Sequence, residues 1–438
     1  MPPDNWATFT VAEITSQARN ALVGGPFGSD LVSKDYVASG IPVIRGANMG
    51  NGRWVSGDFV FVSEEKADSL SSNCAKPGDL IFTQRGTIGQ VALVPETGFD
   101  RYLISQSQMK LSVNPKKVNG LFLFYVFSTA EQQNYIQLNA IRTGVPHTNL
   151  GILRNTPVRL PVLAEQNAIA SVLSSLDAKV ELNSRINEEL EGMAKLLYDY
   201  WFVQFDFPIT AAQAAAMGKP KLEGKPYRAS GGKMIFNEAL KREIPEGWEE
   251  GEIANFCALN SKSWANNECP ESINYVDLAN TKNGRIDQTV TYRKEDAPSR
   301  AQRVLRAGDT IVGTVRPENC SFAWVPDSDQ ALTGSTGFAV LTPKKPSYRE
   351  FNYIGLTSKL NIKRLSVIAS GAAYPAVNPE FVAALQIPSP PDPLLGEFHA
   401  ATAASFDLIE KNESQNQQLT ELRDWLLPML MNGQVTVS

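Results

Sequence analysis

Lys76-Pro77-Gly78-Asp79-Leu80-Ile81 returns as Arg306-Ala307-Gly308-Asp309-Thr310-Ile311, an offset of 230 residues. Working outward, a Val-Pro pair follows each copy, Val94-Pro95 and Val325-Pro326. Thr143-Gly144 then answers Ser370-Gly371, and Leu160-Pro161 answers Ile387-Pro388, both at an offset of 227. After each of those prolines comes a long amphipathic stretch, with Ser175-Leu176-Asp177 in the first and Ser405-Phe406-Asp407 in the second. The unit is a globular domain followed by a helix, used twice. Solenoid repeats run to roughly 20–50 residues, so this period marks a duplicated domain. Duplication gives a pseudo-twofold object, which suits a target with two half-sites.

Within a copy, short strand-like runs bounded by Gly, Pro and Asn alternate with one helical stretch, the pattern of an α+β (mixed α/β) domain. In the first copy the strands are Ile41–Arg45, Phe59–Val62, Asp79–Thr83 and Gln90–Val94, and the helix runs from Leu121 to Leu138. The second has Ile273–Val276, Thr310–Gly313 and Phe338–Leu341, with a helix from about Glu350 to Lys363. The expected division is a first globular domain (1–161), a central helix (162–205), a connector (206–245), a second globular domain (246–391) and a C-terminal helix (392–438).

No proline interrupts Ala164–Phe202, and apolar residues there follow a heptad. One column holds Ile169, Leu176, Asn183, Leu190 and Leu197; the next holds Val172, Lys179, Ile186, Met193 and Tyr200. The C-terminal stretch repeats this with Leu408, Asn412, Leu419, Leu422, Leu426 and Met429. A seam Asn costs stability but fixes register. The two helices are expected to pair as an antiparallel coiled coil that brings Asn183 and Asn412 together near its midpoint. About 38 residues at 1.5 Å rise make a rod of roughly 57 Å, about 17 base pairs of duplex. The connector, rich in Ala, Gly, Lys and Pro, reads as a link back to the far end of the coil.

The formal net charge of −5 is unevenly spread. By segment in chain order it is +2, −4, +3, −1 and −5, so the acid lies on the helices and the repeated domains are near neutral. A local basic face on those domains is compatible with an acidic whole. The same balance implies weak DNA binding by this chain alone, because phosphate neutralisation supplies much of such affinity. Cys74, Cys257, Cys269 and Cys320 form no C-x-x-C pair, and His147 and His399 are the only imidazoles, so neither a disulfide framework nor a metal site is indicated. No apolar run is long enough to span a bilayer, and Met1-Pro2-Pro3-Asp4-Asn5 does not read as a signal peptide; a cytoplasmic protein is expected.

No catalytic constellation is present. Gly218-Lys219 lacks the upstream Gly of a P-loop and is followed by Pro220. Asn378-Pro379-Glu380-Phe381 approaches the N-P-P-[FY] tetrapeptide of amino-methyltransferases, but Glu380 breaks it and no glycine-rich cofactor loop follows a strand in the matching order. There is no G-x-S-x-G and no H-E-x-x-H. What remains is recognition by polar side chains on loops. Candidate readers are Arg45, Gln84, Arg85, Gln106, Gln108, Arg142, His147 and Asn149 in the first copy, with Arg316, Ser335, Thr336 and Tyr374 in the second. Arg85 and Arg316 follow the Gly-Asp pairs on glycine-bearing segments, where a guanidinium can meet guanine or phosphate bidentately.

Taken in order, several strings resemble the specificity subunits of type I restriction-modification systems over essentially the full length. They are Gly25-Pro26-Phe27-Gly28-Ser29, Gly40-Ile41-Pro42-Val43-Ile44-Arg45, the two Gly-Asp turns, and Leu160-Pro161 leading to Glu165-Gln166. Trp201-Phe202-Val203-Gln204-Phe205-Asp206 and Ile244-Pro245-Glu246-Gly247-Trp248 complete the set. The second copy departs from it, lacking the first two strings and ending in Pro388-Ser389-Pro390-Pro391. The resemblance implies a non-catalytic subunit, active in phage defence, with two target-recognition domains that each read half of a gapped site in double-stranded DNA. Its helices would space the domains and dock two adenine-N6 methyltransferase subunits, with restriction and translocase subunits joining for cleavage. S-adenosylmethionine, Mg²⁺ and ATP would belong to those partners. Two other readings stay open: a coiled-coil scaffold or decoy that binds no DNA, and a methyltransferase in its own right, which the missing motifs oppose.

Overall fold

The computed structural model describes residues 6–50, 52–141, 146–227, 232–265, 268–328, 331–369 and 375–437. They divide into two compact units, Met1–Glu181 with Asn416–Ser438, and Leu182–Gln415. This partition cuts both long helices, whereas the sequence reading treated each helix as a segment of its own.

The first unit is closed by an antiparallel pair, Ala7–Thr10 against Pro157–Leu160. Inside it lies a four-stranded antiparallel sheet in the order Leu22–Gly24, Gln108–Leu111, Leu80–Thr83, Val91–Leu93. A five-stranded sheet holds the parallel pair Ile41–Ile44 and Tyr102–Ile104. The second unit repeats the plan. Glu249–Glu252 pairs with Gln386–Ser389, and Cys257–Leu259, Phe338–Pro343, Thr310–Gly313 and Phe322–Trp324 form the corresponding antiparallel sheet. Its parallel pair is Ser272–Val276 with Leu332–Ser335.

The duplicated Gly-Asp turn has one geometry in both places. Gly78 and Gly308 have φ of +83° and +81°, a left-handed conformation that suits glycine. The next residue's carboxylate accepts from the backbone N–H three positions back, Lys76 or Arg306, at 2.9 Å in each case. The carbonyls of Val94 and Val325 accept from the glycine N–H groups, which explains why a Val-Pro recurs there. Asp79 and Asp309 are buried, and burial pushes both carboxyls above the usual aspartate range, against hydrogen bonds that lower them.

The helical stretch expected in each copy is two helices. Gly120–Ser128 is followed by Ala130–Asn139, and Arg349–Leu356 by Lys359–Ile368. The break is a capping residue: Thr129 Oγ1 accepts from Gln132 N and Ser358 Oγ from Asn361 N, each at 3.3 Å. A Ser or Thr there competes for backbone donors and starts a new helix. Gly120–Ser128 supplies much of the first core, burying Phe122 to Phe127, with Phe82 edge-on to Phe127 at 4.8 Å. Each such ring contributes about 1.5–3 kcal/mol on burial.

The central helix spans Leu163–Tyr198, ends in a widened π-helical turn at Asp199–Val203, and is followed by Phe205 in left-handed backbone. Trp201, Phe202, Phe205 and Phe207 enter the second unit's core beside Trp248, Phe351 and Phe398. The Trp-Phe-Val-Gln-Phe run is thus an aromatic plug. The connector is not a bare link: Thr210 caps a short helix at Ala211–Ala216, Met234–Asn237 pairs with Arg242–Pro245, and Ile209, Ala214 and Tyr227 join the same core.

The C-terminal helix spans Asp392–Met431. In the first unit Arg423 Nη1 donates to Asp177 Oδ1 at 2.9 Å, and Leu430 shares a core with Ile169, Ala170 and Leu173. In the second unit Asn183 Nδ2 donates to Gln415 Oε1 at 2.8 Å, Asn412 Nδ2 to Asn187 Oδ1 at 2.8 Å, and Asn187 Nδ2 to Glu413 Oε1 at 3.1 Å. Within each unit numbers rise on one helix as they fall on the other, so the helices are antiparallel. The two seam asparagines each hold a partner about one turn from the other, in a polar layer of several residues and not as the simple pair expected.

The heptad needs correction. The buried column runs Gln166, Ala170, Leu173, Asp177, Asn187, Ala194, Tyr198, Trp201, with Ile169 and Asn183 also buried beside it. Leu176, Ile186, Leu190 and Leu197 are only half-buried flanks, as are Leu419 and Leu426 on the other helix. Lys179, Met193 and Tyr200 are exposed, and so are Leu408 and Leu422 at 43 % each. The cause is physical: the middle of the true seam is polar, so counting apolar residues shifts the column sideways.

Candidate nucleic-acid interface

In the first unit, three loops separated in sequence are stitched together at one place. Gln84, just past the strand Leu80–Thr83, donates its backbone N–H to Ser107 O at 2.7 Å and accepts at its carbonyl from Thr148 N at 3.0 Å. Arg85 also bridges His147. The Gly25–Asp30 loop joins them. Gly25 N donates to Gln108 O at 2.8 Å, and a Cβ on Gly25 would lie 2.0 Å from Ser105 O, so only glycine permits this approach. The parallel strands Ile41–Ile44 and Tyr102–Ile104 end here too, setting Arg45 next to Ser105, whose N–H donates to Ile44 O at 2.9 Å.

The second unit makes the same stitch. Thr314 N donates to Gly337 O at 2.8 Å, and Thr314 O accepts from Val377 N at 2.9 Å. Arg316 N donates to Pro375 O at 2.8 Å. Arg316 is in left-handed backbone at φ +48°, opening a single turn at Pro317–Asn319. The sequence-predicted loops therefore converge in each unit, from equivalent positions.

The individual side chains divide into two groups. Arg85 is exposed on the turn before Gly86, which has φ +94° and nothing within 4 Å of its would-be Cβ; Arg85 has no carboxylate partner among the described residues. Arg316 is exposed, while Gln84, His147 and Thr336 are half-buried at the loop surface. Arg45 is half-buried with its Nε unsatisfied. These can present donors to a base edge or phosphate.

The remainder serve the scaffold. Gln108 is fully buried against Ser105. Gln106 Nε2 donates to Gly28 O and Leu31 O, at 3.0 and 2.8 Å, and pins the Gly25–Asp30 loop. Asn149 caps the helix Leu150–Asn155 by accepting from Ile152 N at 2.9 Å. Ser335 is buried and accepts from Gly337 N at 3.2 Å. Each of these four therefore spends a side-chain atom on holding the loops. Arg142 and Tyr374 lie outside the described residues.

Two residues escaped the sequence reading. Phe27 is 85 % exposed at the tip of the loop that Gln106 pins, a large ring held out to solvent. Its string was quoted as a family marker and not as a contact. Arg300 is exposed and its carbonyl accepts from Thr336 N at 2.8 Å, which places it beside the second cluster. No counterpart in the first copy pointed to it. Among the described residues no group of three or more His, Cys, Asp or Glu could hold a metal, and no helix is long and apolar enough to cross a membrane.

A family model described as the type I restriction modification DNA specificity domain matches residues 3–192. Among curated relatives, the type I restriction enzyme MjaIX specificity subunit of Methanocaldococcus jannaschii is 23 % identical over 99 % of this chain and 94 % of its own. Residues 3–192 thus carry the specificity domain of type I restriction-modification systems, and the chain is similar to their specificity subunits over nearly its full length. The HindI specificity subunit of Haemophilus influenzae is likewise 23 % identical, over 82 % of this chain and 87 % of its own. In fold, the S subunit from M. genitalium superposes with a TM-score of 0.55 at 16 % identity, covering 98 % of this chain and 99 % of that one. The second domain lies outside the matched residues 3–192, and its membership in the repeat rests on the shared topology described above.

Proposed function

We propose that this chain, as a specificity subunit, gives a type I complex its DNA sequence preference, each loop cluster reading one half of a split, gapped site. One observation carries the reading: two clusters stitched by equivalent backbone bonds, 84–107–148 and 314–337–377, display different side chains on one scaffold. A shared frame with divergent tips is what reading two different half-sites requires. The exposed arginines supply phosphate or guanine contacts, and the fixed length of the paired helices sets the gap. The subunit itself is non-catalytic in this reading. It docks two adenine-N6 methyltransferase subunits and the restriction subunits, which bring S-adenosylmethionine, Mg²⁺ and ATP.

The test is co-expression with the cognate methyltransferase subunit in a methylation-free host, followed by genome-wide mapping of N6-methyladenine by single-molecule sequencing. The expected result is one bipartite motif with a fixed gap. A complex that forms yet methylates no defined motif would remove sequence reading from this chain and favour a scaffold role.

A further inference from the structure

The helix Lys359–Ile368 carries an outer face that solvent does not explain. Asn361, Ile362 and Leu365 are buried, so the exposed face consists of Lys359, Leu360, Lys363, Arg364, Val367 and Ile368. Val367 is 79 % exposed and Leu360 59 %. Beside it, Phe381 of the short helix Pro379–Ala383 is also largely exposed, and Leu240 of the connector completes an apolar groove of about 650 Å³. Phe381 belongs to the Asn-Pro-Glu-Phe string that fitted no methyltransferase chemistry. Exposed apolar surface gathered in one concavity marks a partner site more often than a solvated face. The equivalent helix of the first unit, Ala130–Asn139, turns Glu131, Asn134, Gln137 and Asn139 outward together with Leu138, 76 % exposed where the second unit has Val367, and it carries no Lys or Arg. One exposed apolar residue is thus common to both helices, whereas the cations and the clustering with Leu360 and Phe381 belong to the second unit.

Charge identifies the occupant. Lys363 and Arg364 line the groove, no carboxylate does, and neither these two nor Lys359 forms an ion pair among the described residues. Duplex DNA would satisfy the cations but leave Val367, Ile368 and Phe381 uncovered. We propose that this groove docks an acidic amphipathic helix of a partner protein subunit, its apolar stripe on Val367, Ile368 and Phe381 and its carboxylates on Lys363 and Arg364. Helix-in-groove binding of this kind reads side chains at i, i+3/i+4 and i+7 spacing. This deepens the proposed role in a complex and rests on it.

The experiment places a photo-crosslinking p-benzoylphenylalanine at Val367 of the full chain, co-expressed with its methyltransferase and restriction subunits. The complex is irradiated with and without a 40-base-pair duplex, and cross-linked peptides are sequenced. The result expected is a partner-subunit peptide that is net acidic with an apolar stripe. In parallel, Phe381→Asp and the pair Lys363→Glu/Arg364→Glu should each raise Kd for that purified subunit about tenfold, with thermal unfolding unchanged. Cross-links only to DNA, to a second copy of this chain or to nothing overturn the proposal, and so do unchanged Kd values. Methylation mapping on the same preparations separates the two ideas: a normal split motif without the cross-link sinks the groove alone, whereas the cross-link without any motif sinks the DNA-reading function and leaves the groove standing.

Discussion

In the first unit the parallel strand Ile41–Ile44 runs out into Arg45, beside Ser105; in the second, Ser272–Val276 runs out into Asp277, whose carboxylate accepts from Asn280 N and Nδ2 at 2.8 and 3.1 Å. Gln84 at one crossing point is Thr314 at the other, and the Phe27 loop gives way to a stretch in which Trp264 Nε1 bonds Thr333 Oγ1 at 2.9 Å. Beneath these differences the anchors repeat. Arg53 Nη2 reaches Glu181 Oε2 at 3.1 Å, and 232 residues later on both sides Arg285 Nε reaches Glu413 Oε1 at 3.4 Å. Each domain thus clasps the helix that follows it with an Arg-Glu pair, while the loop tips diverge. The clasp repeats and the loop tips do not.

Among the described residues the aromatic plug belongs to the second unit. Phe202→Ala should cost about 3–5 kcal/mol and lower one of two transitions in differential scanning calorimetry. A common shift of both would show that the units unfold as one block. Next comes recognition: Arg85→Ala and Arg316→Ala should each weaken complex binding to specific duplex by about 1–3 kcal/mol if they read a base. If they touch phosphate, the salt slope should instead fall by about one unit on every sequence. Fluorescence anisotropy across a salt series decides between these. If neither quantity changes, the loops are not the contact.

A pH series sharpens the buried anchors. Burial first, then the carboxylates of Asp177 and Glu191, raise the phenols of Tyr125 and Tyr353 above the ordinary tyrosine range. Since the folded value exceeds the unfolded one, this stability is intact below about pH 10 and is lost as pH climbs beyond it. Tyr125→Phe should flatten the alkaline slope of the first unit alone, and Tyr353→Phe that of the second, in chemical denaturation between pH 8 and 11. The smallest effect is expected at Asn149. Asn149→Ala should remove about 1 kcal/mol of first-unit stability as a lost helix cap, with the methylated motif unaltered. An altered motif would return Asn149 to the readers.

Much of the fold was legible because the Gly-Asp turn is a local device: left-handed glycine, capping carboxylate and Val-Pro partner all lie within about twenty residues. The antiparallel helix pair followed from length and periodicity. Its seam did not, because Asp177, Asn183 and Asn187 make the centre polar and hydrophobic counting slides onto Leu176 and Leu190. In the candidate site, loop positions could be read from the repeat, but which polar heads remain free is settled by tertiary hydrogen bonds. Gln106, Gln108, Asn149 and Ser335 look like readers in sequence, and in space each also holds a loop. Arg300 becomes a candidate only because Thr336 bonds its carbonyl.

If each unit reads its own half-site on an interchangeable frame, one domain can stand in for the other. The matched closing pairs, Ala7–Thr10 with Pro157–Leu160 and Glu249–Glu252 with Gln386–Ser389, supply equivalent splice points. Replacing residues 7–160 by residues 249–389 and mapping N6-methyladenine with the methyltransferase subunit present tests it directly. The expected result is a symmetric split motif in which both halves are the one formerly read by the second domain. An assembled chimera that still methylates the original asymmetric motif would contradict it.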